Sequence, residues 1–306
     1  MPCYNPLQAV QGADPLTGEW RVSFRVGSTL LSAKAVEVPC GQCIGCRISR
    51  ARGWALRCLH EARLYTDNSF LTLTYAPEHL PESLRVRDLQ LFFKRLRYFS
   101  ERKFRYYAVG EYGTKLSRPH YHCLLFGFDF PDKKLWKGTG ANRLYRSELL
   151  ERAWPFGHAL IGSVTTESAQ YVAKYSVKQV RGKRAKEHYG SKAPEFAVMS
   201  RRPGIGAGWI DQYESSVFPR DFVVVPGGRK VAVPRYYLGR FGGKEVEGRV
   251  EAVEAIQAAR AERNRPADVL EALARRPAIA KFVAAREKHF NERSEVNEDA
   301  SLRGIR

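Results

Sequence analysis

The order of apolar patterns from Phe70 onward predicts an α+β fold: an antiparallel sheet of the split βαβ, ferredoxin-like kind, with helices on one face. Three observations predict it. Short β-rich runs and helical stripes follow one another as β-α-β-β-α-β. Hydrophobic residues make up 44% of the 306 residues and aromatics 12%, which suits a packed core and excludes a disordered chain. No run of about 18 apolar residues occurs, so the sequence offers no membrane-spanning helix.

Each element has its own signal. Residues 20–38 alternate around Trp20, Val22, Phe24 and Val26, enough for one or two strands. From Ile48 to Tyr65, Ala51, Ala55, Leu59 and Ala62 recur at helical spacing. Phe70-Leu-Thr-Leu-Thr-Tyr75 reads as a strand stopped by Ala76-Pro77. Leu89, Phe92, Phe93, Leu96 and Phe99 form the next helical stripe. Phe104–Tyr112 and His120–Phe128 read as strands joined by a short loop. A short helix at Glu148–Trp154, a strand at Ala159–Val164 and a helix at Glu167–Val180 complete the series.

The chain then organises into four segments. Residues 1–66 carry a cysteine cluster and a helix packed on the core. Residues 67–180 are the core itself. Residues 181–244 form a basic extension, and residues 245–306 a helical C-terminal extension with a polar tail, interrupted at Pro266 and Pro277. The opening Met-Pro-Cys-Tyr-Asn-Pro lacks the layout of a signal peptide, so an unsecreted protein is expected.

Charge points to the partner. Lys and Arg number 51 against 32 acids, a net +19 and a pI near 9.8. That is the electrostatic footprint of a nucleic-acid binder. No polybasic amphipathic segment favours a membrane instead. Residues 181–240 hold twelve Lys and Arg against five acids. Arg181, Lys183, Arg184, Arg201 and Arg202, with Arg118 upstream, are candidate nucleic-acid contacts. Phe196, Trp209 and Tyr213 either stack on unpaired bases or pack the core.

Three of the six cysteines crowd into Cys40-Gly-Gln-Cys43-Ile-Gly-Cys46. In a reducing cell such spacing reads as a structural Zn²⁺ site. The fourth ligand is either Cys3, or Cys58 or His60 in its place.

His120-Tyr-His122 lies within a strand, so both imidazoles leave the same face. Such a pair either shares a divalent metal or merely shares a sheet face. Glu111, at the end of the preceding strand, comes beside them in an antiparallel pair. Two imidazoles and a carboxylate suit Mg²⁺ or Mn²⁺ acting as a Lewis acid. Downstream, Tyr171-x-x-Lys174-Tyr175-x-x-Lys178 repeats one unit twice. Ala169, Val172, Ala173 and Val177 supply a core stripe, and the Tyr/Lys set falls on the opposite face. A tyrosine can attack phosphorus, and its free pKa near 10 calls for electrostatic help from a metal and an ammonium.

These stretches resemble motifs one, two and three of the HUH endonucleases that initiate rolling-circle replication. They are Phe70–Tyr75, Gly110-Glu-Tyr-Gly with Arg118-Pro-His-Tyr-His122, and Tyr171 to Lys178. The cysteine cluster and Leu80-Pro…Ser83-Leu84 resemble the gokushovirus branch of the microviruses in particular. The resemblance covers roughly residues 1–210. It implies an HUH fold with His120, His122 and Glu111 as metal ligands and Tyr171 and Tyr175 as nucleophiles. Lys174 and Lys178 would assist at the phosphate. It implies nicking of single-stranded DNA at a viral origin, a 5′-phosphotyrosine link and religation in the cytoplasm of a bacterial host. Gly-x-x-x-x-Gly-Lys-Ser/Thr does not occur, so a host helicase and polymerase are expected partners. A two-tyrosine transposase shares the motif order, and a silent zinc-stabilised DNA-binding protein shares the charge. The Tyr/Lys face argues against the latter.

Overall fold

A computed structural model gives the fold and describes residues 3–25, 27–113, 116–175, 179–180, 184–218, 220–243 and 248–263, with 277–278, 281 and 284–285. Lys178, Arg181, Lys183 and the polar tail lie outside the described residues. The chain divides into two compact units, one containing residues 1–49 and the other residues 50–263.

The first unit is a three-stranded antiparallel sheet. β1 (Leu7–Ala13) lies between β2 (Trp20–Ser23) and β3 (Leu31–Val38). The sequence signal reached β2 and β3. It missed β1, whose Leu-Gln-Ala-Val-Gln-Gly-Ala is poor in β-branched residues and gets its conformation from two partners. After β3 the chain passes through the cysteines into α1 (Ile44–Ala62), and the division between units falls inside that helix.

The second unit is built on β4 (Asn68–Thr74), α2 (Val86–Ser100), β5 (Arg105–Tyr112), β6 (Pro119–Phe126), α3 (Glu148–Ala153) and β9 (Ala159–Gly162). A hairpin of β7 (Lys134–Lys137) and β8 (Leu144–Arg146) precedes α3. After β9 come α4 (Thr166–Tyr175), α5 (Arg184–Tyr189) and β10 (Phe196–Met199). The seven strands stand in the order β10-β5-β6-β4-β9-β8-β7, every neighbouring pair antiparallel. Strand β6 lies between β4 and β5, which α2 connects. This is the split arrangement expected from the element order.

The helices do not keep to one face. α2 and α3 pack with Tyr121, Cys123, Leu125, Leu71 and Leu73. On the reverse, Cys58 of α1 and Ala169, Val172 and Tyr175 of α4 pack with Tyr107, Val109, Leu124 and Phe126. The reason is in the strands. β5 and β6 alternate between two apolar sets rather than between apolar and polar, so a sheet covered once would leave Val109, Leu124 and Phe126 in water. The two crossover helices cover one face, as the split βαβ topology requires, and α1 and α4 cover the other.

The basic extension is folded. β10 joins the sheet beside β5, where a Cβ on Gly110 would come within 2.8 Å of the Phe196 ring. α6 (Ala207–Val217), the hairpin β11 (Phe222–Val225) and β12 (Arg229–Ala232), α7 (Arg235–Gly242) and α8 (Arg249–Arg263) follow. They enclose a core with Leu56 of α1, in which Trp209 is only 8% exposed and stacks 3.5 Å from His60. Trp209 is therefore a core residue and is not available to a base, whereas Tyr213 is exposed.

Candidate active site

The register of β5 on β6 sets the site. Glu111 pairs with His120 and Val109 with His122, so all four side chains leave the α4 face of the sheet. Glu111 Oε1 lies 3.0 Å from Nε2 of His120 and 3.1 Å from Nε2 of His122. One ligand atom from each of the three residues falls within 4.8 Å of the others. Glu111 is 1% exposed and His122 is fully buried. Burial alone would push the Glu111 carboxyl up. The adjacent His120, and hydrogen bonds from both histidines, outweigh that and hold it below the usual carboxylate range.

The far side of each imidazole is anchored. His120 Nδ1 donates to the Arg118 carbonyl at 3.1 Å. His122 Nδ1 lies 3.2 Å from Thr72 Oγ1, its register partner on β4. Without a cation each Nε2 hydrogen-bonds Glu111; with one bound, the proton on Nδ1 would leave each Nε2 lone pair for the metal beside Glu111. This is how metal-binding histidines are usually oriented. The donor set and its anchoring therefore fit a divalent cation. The sequence reading missed Thr72 and Phe70, whose ring stacks 5.8 Å from His122. Alternation along Phe70-Leu-Thr72 was the available signal, since it puts both on the histidine face once the register is known.

α4 closes over this face. Thr165 and Ser168 fix its start reciprocally: Ser168 N donates to Thr165 Oγ1 at 3.2 Å, and Thr165 N to Ser168 Oγ at 2.8 Å. One turn later the Tyr171 ring sits edge-on 5.0 Å from His122, and the Tyr175 ring stacks 5.8 Å from it. The two tyrosine rings are 4.7 Å apart, and the Lys174 ammonium lies 5.4 Å from the Tyr175 centroid. Here the expectation of a face opposite the core needs correction. Tyr175 is 2% exposed and belongs to the same cluster as Val172. The Tyr/Lys face points at a polar site under the helix, so its tyrosines are packed rather than solvated.

Of the remaining candidates, Arg118 donates to the Tyr75 carbonyl at 3.0 Å, and Arg201 and Arg202 are exposed in the turn after β10. Arg184 opens α5.

In the first unit, Cys3, Cys40, Cys43 and Cys46 converge, with all four sulfurs within 4.8 Å. Cys3 Sγ lies 3.6 Å from Cys40 Sγ and 3.8 Å from Cys43 Sγ. Four sulfurs about 2.3 Å from a tetrahedral zinc stand about 3.8 Å apart, so the cage has the right size. Burial pushes the Cys43 thiol up, but amide and thiol hydrogen bonds, led by Tyr4 N at 3.4 Å, bring it down to about 6. Cys3 is thus the fourth member. Cys58 is buried in the second unit's core, and His60 Nδ1 is 3.0 Å from the Tyr237 hydroxyl.

The family described as replication-associated protein ORF2/G2P matches residues 68–180, the span from β4 through α4. The replication-associated protein VP4 of Bdellovibrio phage phiMH2K is 38% identical over 247 residues, covering 78% of this chain and 76% of that protein. This chain belongs to the phage replication-associated protein family. Replication-associated protein ORF2 of Spiroplasma virus 4 is 32% identical over 215 residues, covering 65% of this chain and 66% of that protein. Replication-associated protein ORF4 of Chlamydia phage 1 is 32% identical over 160 residues, covering 46% of this chain and 38% of that protein. No solved structure matches the chain. The resemblance drawn from the three sequence motifs is borne out at the level of this family. Among the described residues, no helix is long and apolar enough to cross a membrane.

Proposed function

We propose that this chain is an HUH-type endonuclease and strand transferase that starts rolling-circle replication of a small single-stranded DNA phage. The observation that carries the reading is the convergence of Glu111, His120 and His122 beneath the two tyrosines of α4. Membership in the phage replication-associated family supports the biological role.

Mg²⁺ or Mn²⁺ held by Glu111, His120 and His122 supplies Lewis-acid polarisation of the scissile phosphate. The chain's own residues do the rest. A tyrosine oxygen attacks phosphorus, the P–O3′ bond breaks and a 5′-phosphotyrosine forms. The phenol gives up its proton and the departing O3′ gains one, so one phosphodiester replaces another. Lys174, and Lys178 beyond the described residues, offer positive charge to the phosphate oxygens. Tyr171 and Tyr175 stand at i and i+4, so while one carries a strand the other is free to attack the next junction. A cage of Cys3, Cys40, Cys43 and Cys46 holds a structural Zn²⁺. Arg201 and Arg202, with Arg181, Lys183 and Arg184, guide the single strand. The reaction takes place in the bacterial host's cytoplasm, alongside a host helicase and polymerase.

The test is cleavage of a labelled single-stranded origin oligonucleotide by the purified chain. The reading expects cleavage with Mn²⁺, none with EDTA, and recovery when metal is restored. Cleavage that survives EDTA contradicts it.

A further inference from the structure

The layer opposite the site carries a second charged surface. α2 turns Leu89, Phe92, Phe93 and Leu96 into the core. Its outer face presents Arg87, Lys94 and Tyr98, continued past the helix end by Arg102 and Lys103, all exposed. Tyr98 is 79% exposed, an aromatic ring left in water. Among the described residues, none of these four cations has an ion pair. Four cations against the single exposed acid Glu101 at the helix end leave the face net positive, which costs self-repulsion unless an anion occupies it.

Behind this face, two arginines stand over aromatic rings. The Arg97 guanidinium is 4.5 Å from the Phe104 centroid, and that of Arg95 is 5.3 Å from Phe156. These cation–π contacts hold the two guanidiniums beneath the exposed cations and add to the positive charge of the face. The acid within the helix, Asp88, accepts from the Tyr75 hydroxyl at 2.8 Å and is turned inward.

We propose that the outer face of α2 is a second DNA-binding surface, one that takes the phosphate backbone of duplex DNA. Three features select this partner. Arg87 to Lys94 is seven residues, or about 10 Å along the helix. That matches the roughly 12 Å between the walls of a major groove. A single exposed ring on a convex helix is not the aromatic-lined channel that grips single strands. The apolar side of α2 is spent on the core, so of its large apolar residues Tyr98 and Val86 alone are exposed, not an apolar face that could insert into a membrane. Glu111, His120 and His122 leave the other face of the sheet, so duplex on α2 does not compete with a strand at the tyrosines. The inference needs DNA as the partner but does not need the nicking chemistry.

The experiment is fluorescence anisotropy of the full chain with a labelled duplex of about 20 base pairs, titrated across KCl concentrations. The variant is Arg87→Gln/Lys94→Gln/Arg102→Gln/Lys103→Gln. A control, Lys134→Gln/Lys137→Gln/Arg229→Gln/Lys230→Gln, removes the same charge elsewhere. The α2 variant is expected to weaken duplex binding at least ~10-fold at moderate salt and to flatten the log–log salt slope by up to about 3.6, near 0.9 for each of four lost phosphate contacts. It should bind an eight-nucleotide single strand as the wild type does, which also reports that it is folded. The control should lose much less. Equal losses in the two variants, an unchanged slope, or wild-type binding to phosphatidylserine vesicles but not to duplex would each overturn the proposal.

Discussion

Replacing Thr72 with valine removes one oxygen and changes the side-chain shape very little. Thr72 Oγ1 stands 3.2 Å from Nδ1 of His122, a residue with no solvent exposure. Water therefore cannot take over the hydrogen bond, and the Nδ1 proton of a metal-binding His122 is left without its acceptor. Loss of such an outer partner typically costs 10–100-fold in metal affinity, or about 1.4–2.8 kcal/mol. Titrating Mn²⁺ into the chain by calorimetry, with Zn²⁺ already present, measures this directly. Thr72→Val should bind Mn²⁺ at least tenfold more weakly than wild type, and Thr72→Ser should restore most of the affinity. A valine variant that binds Mn²⁺ like wild type refutes the positioning role. A wild-type chain that binds no Mn²⁺ refutes the metal centre itself.

Three further outcomes follow from the same geometry. His120→Ala should abolish Mn²⁺ binding and cleavage while leaving the circular dichroism melt nearly unchanged. His122→Ala should also lower the melting temperature, because its buried ring packs on Phe70 and Tyr175. Elemental analysis should find about one zinc per chain, and Cys43→Ser should lose it; a folded, zinc-free wild type would contradict the cage. Burial of His60 pushes its pKa down to about 3 from an ordinary 6.5, so the unfolded chain takes up a proton that the folded chain refuses between those values. Stability therefore falls as pH drops through that window, by up to ~1.4 kcal/mol per pH unit. Urea melts at pH 7 and 5 should show less of this loss in His60→Gln than in wild type.

Glu111, His120 and His122 were legible in the sequence because alternation and a short connection fix a hairpin's register locally. Their anchors were less so: Thr72 meets His122 only after β4 pairs with β6, a contact 50 residues apart. Periodicity grouped Tyr171 with Tyr175 correctly but is silent on what lies against that face, so Tyr175 was expected outside the core. β-α-β-β-α-β needs helices on one face only, yet the doubly apolar β5 and β6 demand a second layer. β10 is four residues long and its partner β5 is distant in sequence, while the β7–β8 hairpin is local but its strands are only four and three residues long. Cys3 was one of several candidates until the fold brought it within 3.6 Å of Cys40.

The proposed chemistry makes the tyrosines of α4 the nucleophiles. The decisive measurement is mass spectrometry of peptides from the chain after reaction with single-stranded origin oligonucleotide and Mn²⁺. It should find a nucleotide on Tyr171 or Tyr175, an adduct still formed by each single Tyr→Phe variant, and none in the double variant. An adduct on any other residue, or one that persists in Tyr171→Phe/Tyr175→Phe, would contradict the account.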